Sequence, residues 1–534
     1  MKIKDLLLPL LILMVTTTHS QKVNIIPQPN EMNLQRGYFT FTRLLIHTNS
    51  KSQATAKYLL QELKKISRKS YYIRLNEQPS TNYISFDENT TLSKEAYELR
   101  IADNGISITA AGPTGWFYGT QSLLQIFTQY EKNRGQTTSL PKLTIKDQPA
   151  FQWRAYMLDE ARYFKGAQQV KLLLDEMAYL KMNVFHWHLV DDQGWRIEIK
   201  KYPLLTKIGS KRKSTQIGPK QWESPIQSGE PHEGFYTQEE IKEIIAYAQE
   251  RHITIVPEIE MPGHSTAAIA SYPWLGTSGQ KIEVPIKFGV GKDVYNVTDP
   301  RVNQFLKDVL DEVMALFPSK VIHIGGDEVK YNHWKNSRSV NDFMRKKGLK
   351  SPADLQVYFT NSISNYLQSK GRRMMGWNEI LGHNLHYFQD KKDTQTSQEL
   401  AKNSVVHFWK GDVELATNAA KKGYDIVNSL HSSTYLDYTY KAIPLKKAYD
   451  FNPIPKGLDV KFHSKIIGLG TQMWGEWIPT NGEMHYQTFP RIAAYAEVGW
   501  TKQENKSYYR FLLGLSYLKD RWKAKDIYFA QIPK

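Results

Sequence analysis

The sharpest chemical feature of the sequence is His323-Ile324-Gly325-Gly326-Asp327-Glu328. An apolar run enters two glycines and then two adjacent acids. Glycines let a ligand approach the backbone closely. Neighbouring side chains diverge on a regular strand. At a strand end that alternation relaxes, and Asp327 and Glu328 can reach one pocket. Two close carboxylates resist joint ionisation, so one pKa should rise, and a raised carboxyl suits a general acid. A solvated Asp-Glu pair is the plain alternative. Other polar clusters accompany it. Leu158-Asp159-Glu160-Ala161-Arg162 offers either a guanidinium fork for sugar hydroxyls or an ion pair of Arg162 with Asp159 or Glu160. His186-Trp187-His188-Leu189-Val190-Asp191-Asp192 puts His186 and His188 on one side of a strand. That spacing suits zinc, but zinc needs a third ligand and no H-E-x-x-H companion is present. Asp191 and Asp192 are supporting groups or ordinary loop carboxylates. In Pro257-Glu258-Ile259-Glu260-Met261-Pro262-Gly263-His264 the prolines and glycine fix a turn. His264 is then either held near the pocket or structural. Trp377, Trp409 and Trp474 end three further apolar runs, Tyr435-Leu436-Asp437 follows another, and Glu476 lies just past Trp474. Aromatic faces suit sugar rings, and each hydroxyl of a buried sugar wants a polar partner.

These clusters need elements to position them. Candidate strands are 155–158, 183–188, 253–259, 321–324, 373–377, 404–409, 425–429 and 466–474. Between several of them helices are clear. Val170, Leu173, Leu174 and Met177 share a helical face, as do Phe305, Val309, Leu310, Val313 and Leu316. Thr237 and Glu240 form a capping box, and Ser351-Pro352 with Asp354 opens another helix. The pattern predicts a (β/α)8 TIM barrel over residues 150–534, with the amphipathic segment 508–522 packed on it. A doubly wound sheet is the alternative. In such a barrel, chemistry sits at the C-terminal ends of the strands, where these residues fall. Residues 21–149 read as a small α/β domain, a mixed sheet plus helices, ending at Asp147-Gln148-Pro149. It has helices at 54–66 and 115–127 and a hairpin of 97–101 and 106–110 around Asp103-Asn104-Gly105. Nothing in it looks catalytic.

Composition bounds the function. The chain has 534 residues, 41% hydrophobic and 23% charged, which is globular rather than disordered or fibrous. With no cysteine, disulfides, thiolate metal sites and a cysteine nucleophile are excluded. The net charge of +17 is spread, the densest clusters being the triplets Lys211-Arg212-Lys213 and Arg345-Lys346-Lys347, so a solvated basic surface is favoured over nucleic-acid binding. Lys2 and Lys4 precede an apolar run over 6–15 and small polar residues to Ser20, a secretory signal pattern over residues 1–20. No second long apolar stretch follows, so no membrane span is expected.

At these residues the sequence resembles the family 20 glycoside hydrolases, the β-N-acetylhexosaminidases. The resemblance runs from about residue 22 to the end, through segments 158–164, 183–195, 257–264, 323–328, 376–380 and 435–437. It includes the family's N-terminal domain, represented by Gly115-Trp116-Phe117-Tyr118-Gly119-Thr120-Gln121-Ser122-Leu123-Leu124-Gln125. It implies exo-acting removal of a terminal N-acetylglucosamine or N-acetylgalactosamine from a glycan, by a retaining route in which the substrate's own acetamide is the nucleophile. It also implies that Glu328 is the acid and base, that Asp327 orients the acetamide, and that Tyr435 bonds the acetamide oxygen. Trp377, Trp409 and Trp474 would wall the sugar, Arg162, Asp437 and Glu476 would hold hydroxyls, and His264 and Asp191 would support Glu328. Neither cofactor nor metal is implied. With the leader, the chain is expected to be exported by a bacterium, to a periplasm or outside the cell. Two departures stand out. Glu260 replaces the family's frequent Asp, and Asn378 replaces an Asp in a place that bears on specificity.

Overall fold

The computed structural model describes residues 22–532 apart from 68, 77–79, 132–136, 219–221, 384 and 395. The expected leader, residues 1–20, lies outside the described residues. No described helix is long and apolar enough to cross a membrane.

The first part is a seven-stranded mixed sheet of β1 (Glu31–Phe41), β2 (Arg43–Thr48), β3 (Ser70–Leu75), β4 (Tyr83–Glu88), β5 (Tyr97–Ile101), β6 (Gly105–Ala110) and β7 (Thr138–Asp147). Its order is β1-β7-β5-β6-β4-β2-β3, antiparallel on the β1 side and parallel on the β3 side. Helices α1 (Gln53–Ile66) and α2 (Pro113–Tyr130) pack against it. The helix α2 is buried almost throughout. Gly115 and Gly119 let it come close: a Cβ on the first would collide with Ala96 and Ala110, and on the second with Ile108 of β6. Asp147, at the end of β7, anchors this domain on the next. Its Oδ2 accepts from Tyr97 (2.7 Å) and from Trp500 Nε1 (2.9 Å) of the barrel's late helix. Arg154 of the first barrel strand reaches back to Glu95 (2.8 Å).

The second part is a closed parallel barrel. Its strands are Trp153–Asp159, Val184–His188, Thr254–Glu258, Val321–His323, Arg373–Trp377, Val405–Phe408, Asp425–Asn428 and Ile466–Met473, the last pairing with the first. The TIM barrel is therefore the observed fold, and the doubly wound alternative falls. Short all-apolar runs bounded by helices specify strands buried on both faces. The capping box at Thr237 and Glu240 opens Gln238–Gln249, and Ser351 caps Pro352–Ser369. After the fifth strand the described residues form only two short 3₁₀ turns, Asn378–Leu381 and Lys391–Asp393. That open segment carries Glu379 and His386 over the barrel mouth.

The terminal helix Tyr508–Ala524 docks through two buried carboxylates, Glu497, which accepts from Arg510 Nη2 (2.5 Å), and Glu176. Glu176, on helix Ala167–Tyr179, accepts from Arg521 Nε (3.1 Å), Trp522 Nε1 (3.1 Å) and Lys525 Nζ (2.8 Å). Burial alone would push Glu176 up, but Arg521 and Lys525 bring it down to about 2. A depressed carboxylate stabilises above its ordinary range and loses that contribution as pH falls through about 2. Glu176→Gln should therefore cost about 3 kcal/mol in urea denaturation at neutral pH. The gap from wild type should narrow as the titration is repeated toward pH 2; an unchanged midpoint at pH 7 would refute the anchor.

Candidate active site

The fourth strand stops at His323, and the chain turns left-handed at Gly325 (φ 67°), Gly326 (φ 88°) and Glu328 (φ 50°). Gly325 is required twice over, by its φ and because a Cβ there would collide with the Glu260 carboxylate. The turn removes the strand's alternation and brings both acids to one place. His264 Nε2 lies 3.7 Å from Asp327 Oδ2 and 3.7 Å from Glu328 Oε2. Asp327 is buried, whereas the Glu328 side chain keeps 22% of its exposure. Asp327 Oδ1 is buried with no hydrogen-bond partner among the described residues. An acceptor of that kind is a place for a ligand's N–H.

A line of alternating charge stands behind the pair. His264 Nδ1 donates to Asp191 Oδ1 (3.1 Å) and lies 3.3 Å from Asp192 Oδ2. Asp191 Oδ2 also takes Arg162 Nη2 (2.9 Å) and His188 Nε2–H (2.9 Å). Burial alone would pull His264 down, but Asp191 and Asp327 hold it well above its ordinary value. Burial likewise favours a neutral Asp191, yet Arg162, His264 and His188 hold it well below the carboxylate range. Asp327 goes the other way. Burial pushes it up to about 7, opposed by His264 and reinforced by Glu379 and Glu328. The expected rise of one carboxyl in the pair is thus found on Asp327. Glu260 is pushed well up by burial and by Asp327 and Glu258, and its Oε2 accepts the Gly326 N–H (3.3 Å).

The remaining sequence-predicted residues lie at the ends of the neighbouring strands. Trp377, Trp409, Tyr435 and Trp474 form one aromatic wall. Trp377 is 6.4 Å from Trp409 and 5.9 Å from Trp474, while Tyr435 lies parallel to Trp409 at 6.1 Å and 6.1 Å from Trp474. Arg162 also pairs with Asp159 (3.1 Å), gives its Nε–H to Gln193 (2.9 Å), and lies 3.8 Å from Glu476. Of the two partners offered by the sequence, Asp159 is used; Glu160 bonds Tyr236 instead (2.7 Å). Asp159 also accepts the Gly475 N–H (2.9 Å), fixing Trp474 and Glu476 against the first strand. Asp437, two residues past Tyr435, is half-buried beside this wall, and its carbonyl accepts from Gln487 (3.2 Å). The loop 209–234 reaches the same side: Arg212 Nη1 bonds Gln193 O (3.1 Å), and Trp222 packs edge-on against Trp477 (5.8 Å).

The zinc alternative at His186 and His188 meets a physical obstacle. Both histidines do face one side, His186 Nε2 2.9 Å and His188 Nδ1 2.6 Å from Glu258 Oε2. But His188 gives both nitrogens to carboxylates and is held up to about 10, the burial penalty being outweighed by Glu258 and Asp191. It has no lone pair for a metal. His186, Glu258 and His323 also converge, with His323 Nδ1 2.9 Å from Glu258 Oε1 and 3.0 Å from Gly325 N.

Sequence reasoning missed three residues that hold the site. Glu258 bonds Trp377 Nε1 (2.8 Å). Glu379 bonds Trp409 Nε1 (2.9 Å) and His386 Nε2 (2.8 Å), and burial pushes it up to about 7. His386 Nδ1 lies 3.5 Å from Glu328 Oε1, on the other side from His264. An acid inside an apolar strand was a readable signal for Glu258. His386 comes from an irregular segment with no such signal.

The likeness to known proteins agrees with this geometry. Residues 151–503 match the model for the glycosyl hydrolase family 20 catalytic domain and residues 22–148 that for its domain 2. The chain is similar to a β-hexosaminidase of Porphyromonas gingivalis, 36% identical over 92% of this chain but only 62% of the relative's length. A β-hexosaminidase of Vibrio furnissii is 33% identical over 91% of this chain and 78% of its own. Among solved structures, a family 20 exo-β-N-acetylglucosaminidase of Vibrio harveyi bound to N-acetylglucosamine superposes with a TM-score of 0.81 at 31% identity, covering 96% of this chain and 80% of that one. Two family models covering both parts of the fold, together with relatives above 30% identity, place this chain in glycosyl hydrolase family 20.

Proposed function

We propose that the chain is an exported, exo-acting β-N-acetylhexosaminidase. It removes terminal N-acetylglucosamine or N-acetylgalactosamine from glycans by a retaining, substrate-assisted route. The observation that carries this reading is the shared setting of Asp327 and Glu328 around His264, with Asp327 Oδ1 buried and facing no donor among the described residues. In the first step Glu328 gives its proton to the leaving oxygen as the acetamide oxygen attacks the anomeric carbon. The glycosidic bond breaks and an oxazolinium ion forms. Asp327 takes the acetamide N–H and balances the charge that develops there. In the second step Glu328 removes a proton from water, which attacks the same carbon and reopens the ring with retention. Arg162, Asp437 and Glu476 hold the hydroxyls, Tyr435 the acetamide oxygen, and the three tryptophans exclude water. The names of the relatives and the leader-like N-terminus support substrate class and export.

Glu328→Gln should lower kcat on an aryl N-acetylglucosaminide by roughly a hundredfold or more with an unchanged circular dichroism spectrum. Near-wild-type turnover would remove Glu328 as the acid. Asp327→Ala should lose activity on acetamido substrates, and the wild type should leave the matching β-glucoside nearly untouched. Equal hydrolysis of both glycosides would contradict substrate assistance.

The pH profile gives a separate check. Asp327 must be charged to balance the oxazolinium, and burial holds its pKa up at about 7. Its charged fraction in the free enzyme therefore falls as pH drops below that value. The profile of kcat/KM should show an acid limb near pH 7, and Asp327→Asn should flatten it. A limb that survives in the Asn variant belongs to another group.

A further inference from the structure

Glu258 is fully buried inside the barrel, and the reaction above does not use it. It ends the third strand, and its two oxygens serve two different walls of the site. Oε1 accepts Trp377 Nε1–H at 2.8 Å. Oε2 accepts His188 Nδ1–H at 2.6 Å. The groups packed round it are His186 and His188 from the second strand, His323 from the fourth and Trp377 from the fifth, with His323 Nε2 in turn 3.2 Å from His407 of the sixth.

Each arm runs to the chemistry. Trp377, also stacked on His407 at 4.1 Å, is the innermost ring of the aromatic wall and the most deeply buried. The other arm passes from His188 to Asp191 (2.9 Å), from Asp191 to His264 (3.1 Å), and from His264 to within 3.7 Å of both Asp327 and Glu328. The sign alternates at every step: Glu258 negative, His188 positive, Asp191 negative, His264 positive. Burial alone would push Glu258 up, but His323, His188 and His186 hold it well below the carboxylate range. The links from Trp377 through Glu258, His188 and Asp191 to His264 are buried charge-assisted hydrogen bonds, and a buried charge is tolerable only when paired. The last step, 3.7 Å from His264 to each acid, is a charge contact, so a displacement at Glu258 reaches the acids as a shift of the His264 cation.

We propose that Glu258 is a positioning residue, one carboxylate that sets the acetamide wall through Trp377 and the Asp327–Glu328 pair through His188, Asp191 and His264. The inference rests on the aminosugar reading of the site. It assigns Glu258 to the transition state rather than to ground-state binding, because both arms end on groups that meet the acetamide as it becomes nucleophilic.

The test is a set of double-mutant cycles read by kcat, KM and the inhibition constant of a thiazoline, a stable mimic of the oxazolinium. Glu258→Gln should lower kcat roughly tenfold to a hundredfold, leave KM within about threefold, and weaken the thiazoline by a similar factor to kcat/KM. Combined with Trp377→Phe, which removes the indole donor, or with Asp191→Asn, the losses should fall well short of multiplying. Full multiplication in both cycles, or a lowered Tm with kcat unchanged, would overturn the proposal. Should Glu258→Gln fail to fold, His188→Asn keeps a donor beside Glu258 while cutting the arm to Asp191. Its loss should not multiply with that of Asp191→Asn, and full multiplication there would equally overturn it. A wild-type enzyme that neither hydrolyses acetamido glycosides nor binds the thiazoline would remove the functional reading and this inference with it, whereas an active wild type with multiplying cycles would remove this inference alone.

Discussion

Carboxylates cannot crowd a dry barrel mouth unless cations stand between them, and that constraint organises this molecule. Asp191, Glu258, Glu260, Asp327 and Glu379 all lie buried at or just past the C-terminal ends of the barrel strands. Two of them, Asp191 and Glu258, are held ionised by imidazoles and, for Asp191, by Arg162. The other three are pushed upward by burial and by one another. The division follows from geometry. Asp191 has three cationic donors within 3.1 Å. Among the described residues, Asp327 has only His264, at 3.7 Å. A carboxylate with full partners becomes scaffold, and one with too few is left wanting charge.

The barrel is a means to that arrangement. A parallel closed sheet delivers eight strand ends to one rim, so charges far apart in sequence meet without long loops. His188, Glu258 and Trp377 come from three different strands and still meet within 2.8 Å. The hydrogen bond from Gly475 to Asp159 does the same across the seam between first and last strands. None of the side chains gathered round Asp327 and Glu328 comes from the described residues of the N-terminal domain. Its role here is mechanical: Asp147 and Glu95 brace the base of the barrel through Trp500 and Arg154.

Much of this was legible in the sequence because barrel strands are short apolar runs ending in chemistry. All eight expected strands correspond to observed ones, shifted by at most two residues at either end. The convergence of Asp327 and Glu328 was legible because Gly325-Gly326 permits left-handed backbone, and Glu328 itself adopts it. What sequence did not yield has a physical reason too. Most of the N-terminal sheet consists of edge or partly exposed strands, such as β1, whose side chains are exposed along most of its length and which lacks a clean alternation. His386 and Glu379 act from a segment without a regular helix, where no periodicity says which way a side chain points. The triplet Lys211-Arg212-Lys213 reads as solvated surface, yet Arg212 is buried and bonds Gln193 O, a contact that no local pattern announces.

The contrast between the two acids of the pair has a further consequence on the proposed route. Without substrate a charged Asp327 has no partner closer than His264 at 3.7 Å among the described residues, and burial makes that charge costly. A neutral acetamide offers it one N–H, which relieves the cost only in part. The oxazolinium offers a full positive charge at the same atom. The attraction therefore grows as the reaction proceeds, and it is strongest at the cationic intermediate and the transition states on either side of it. Interactions that strengthen in this way accelerate the chemical step, whereas uniform ones only tighten binding. Pairing Asp327 fully with an arginine, as Asp191 is paired, would relieve the empty site and forfeit that gain. The missing cation at Asp327 is thus as much a part of the site as the cations present at Asp191, and the alternating chain behind His264 is what keeps the two settings distinct.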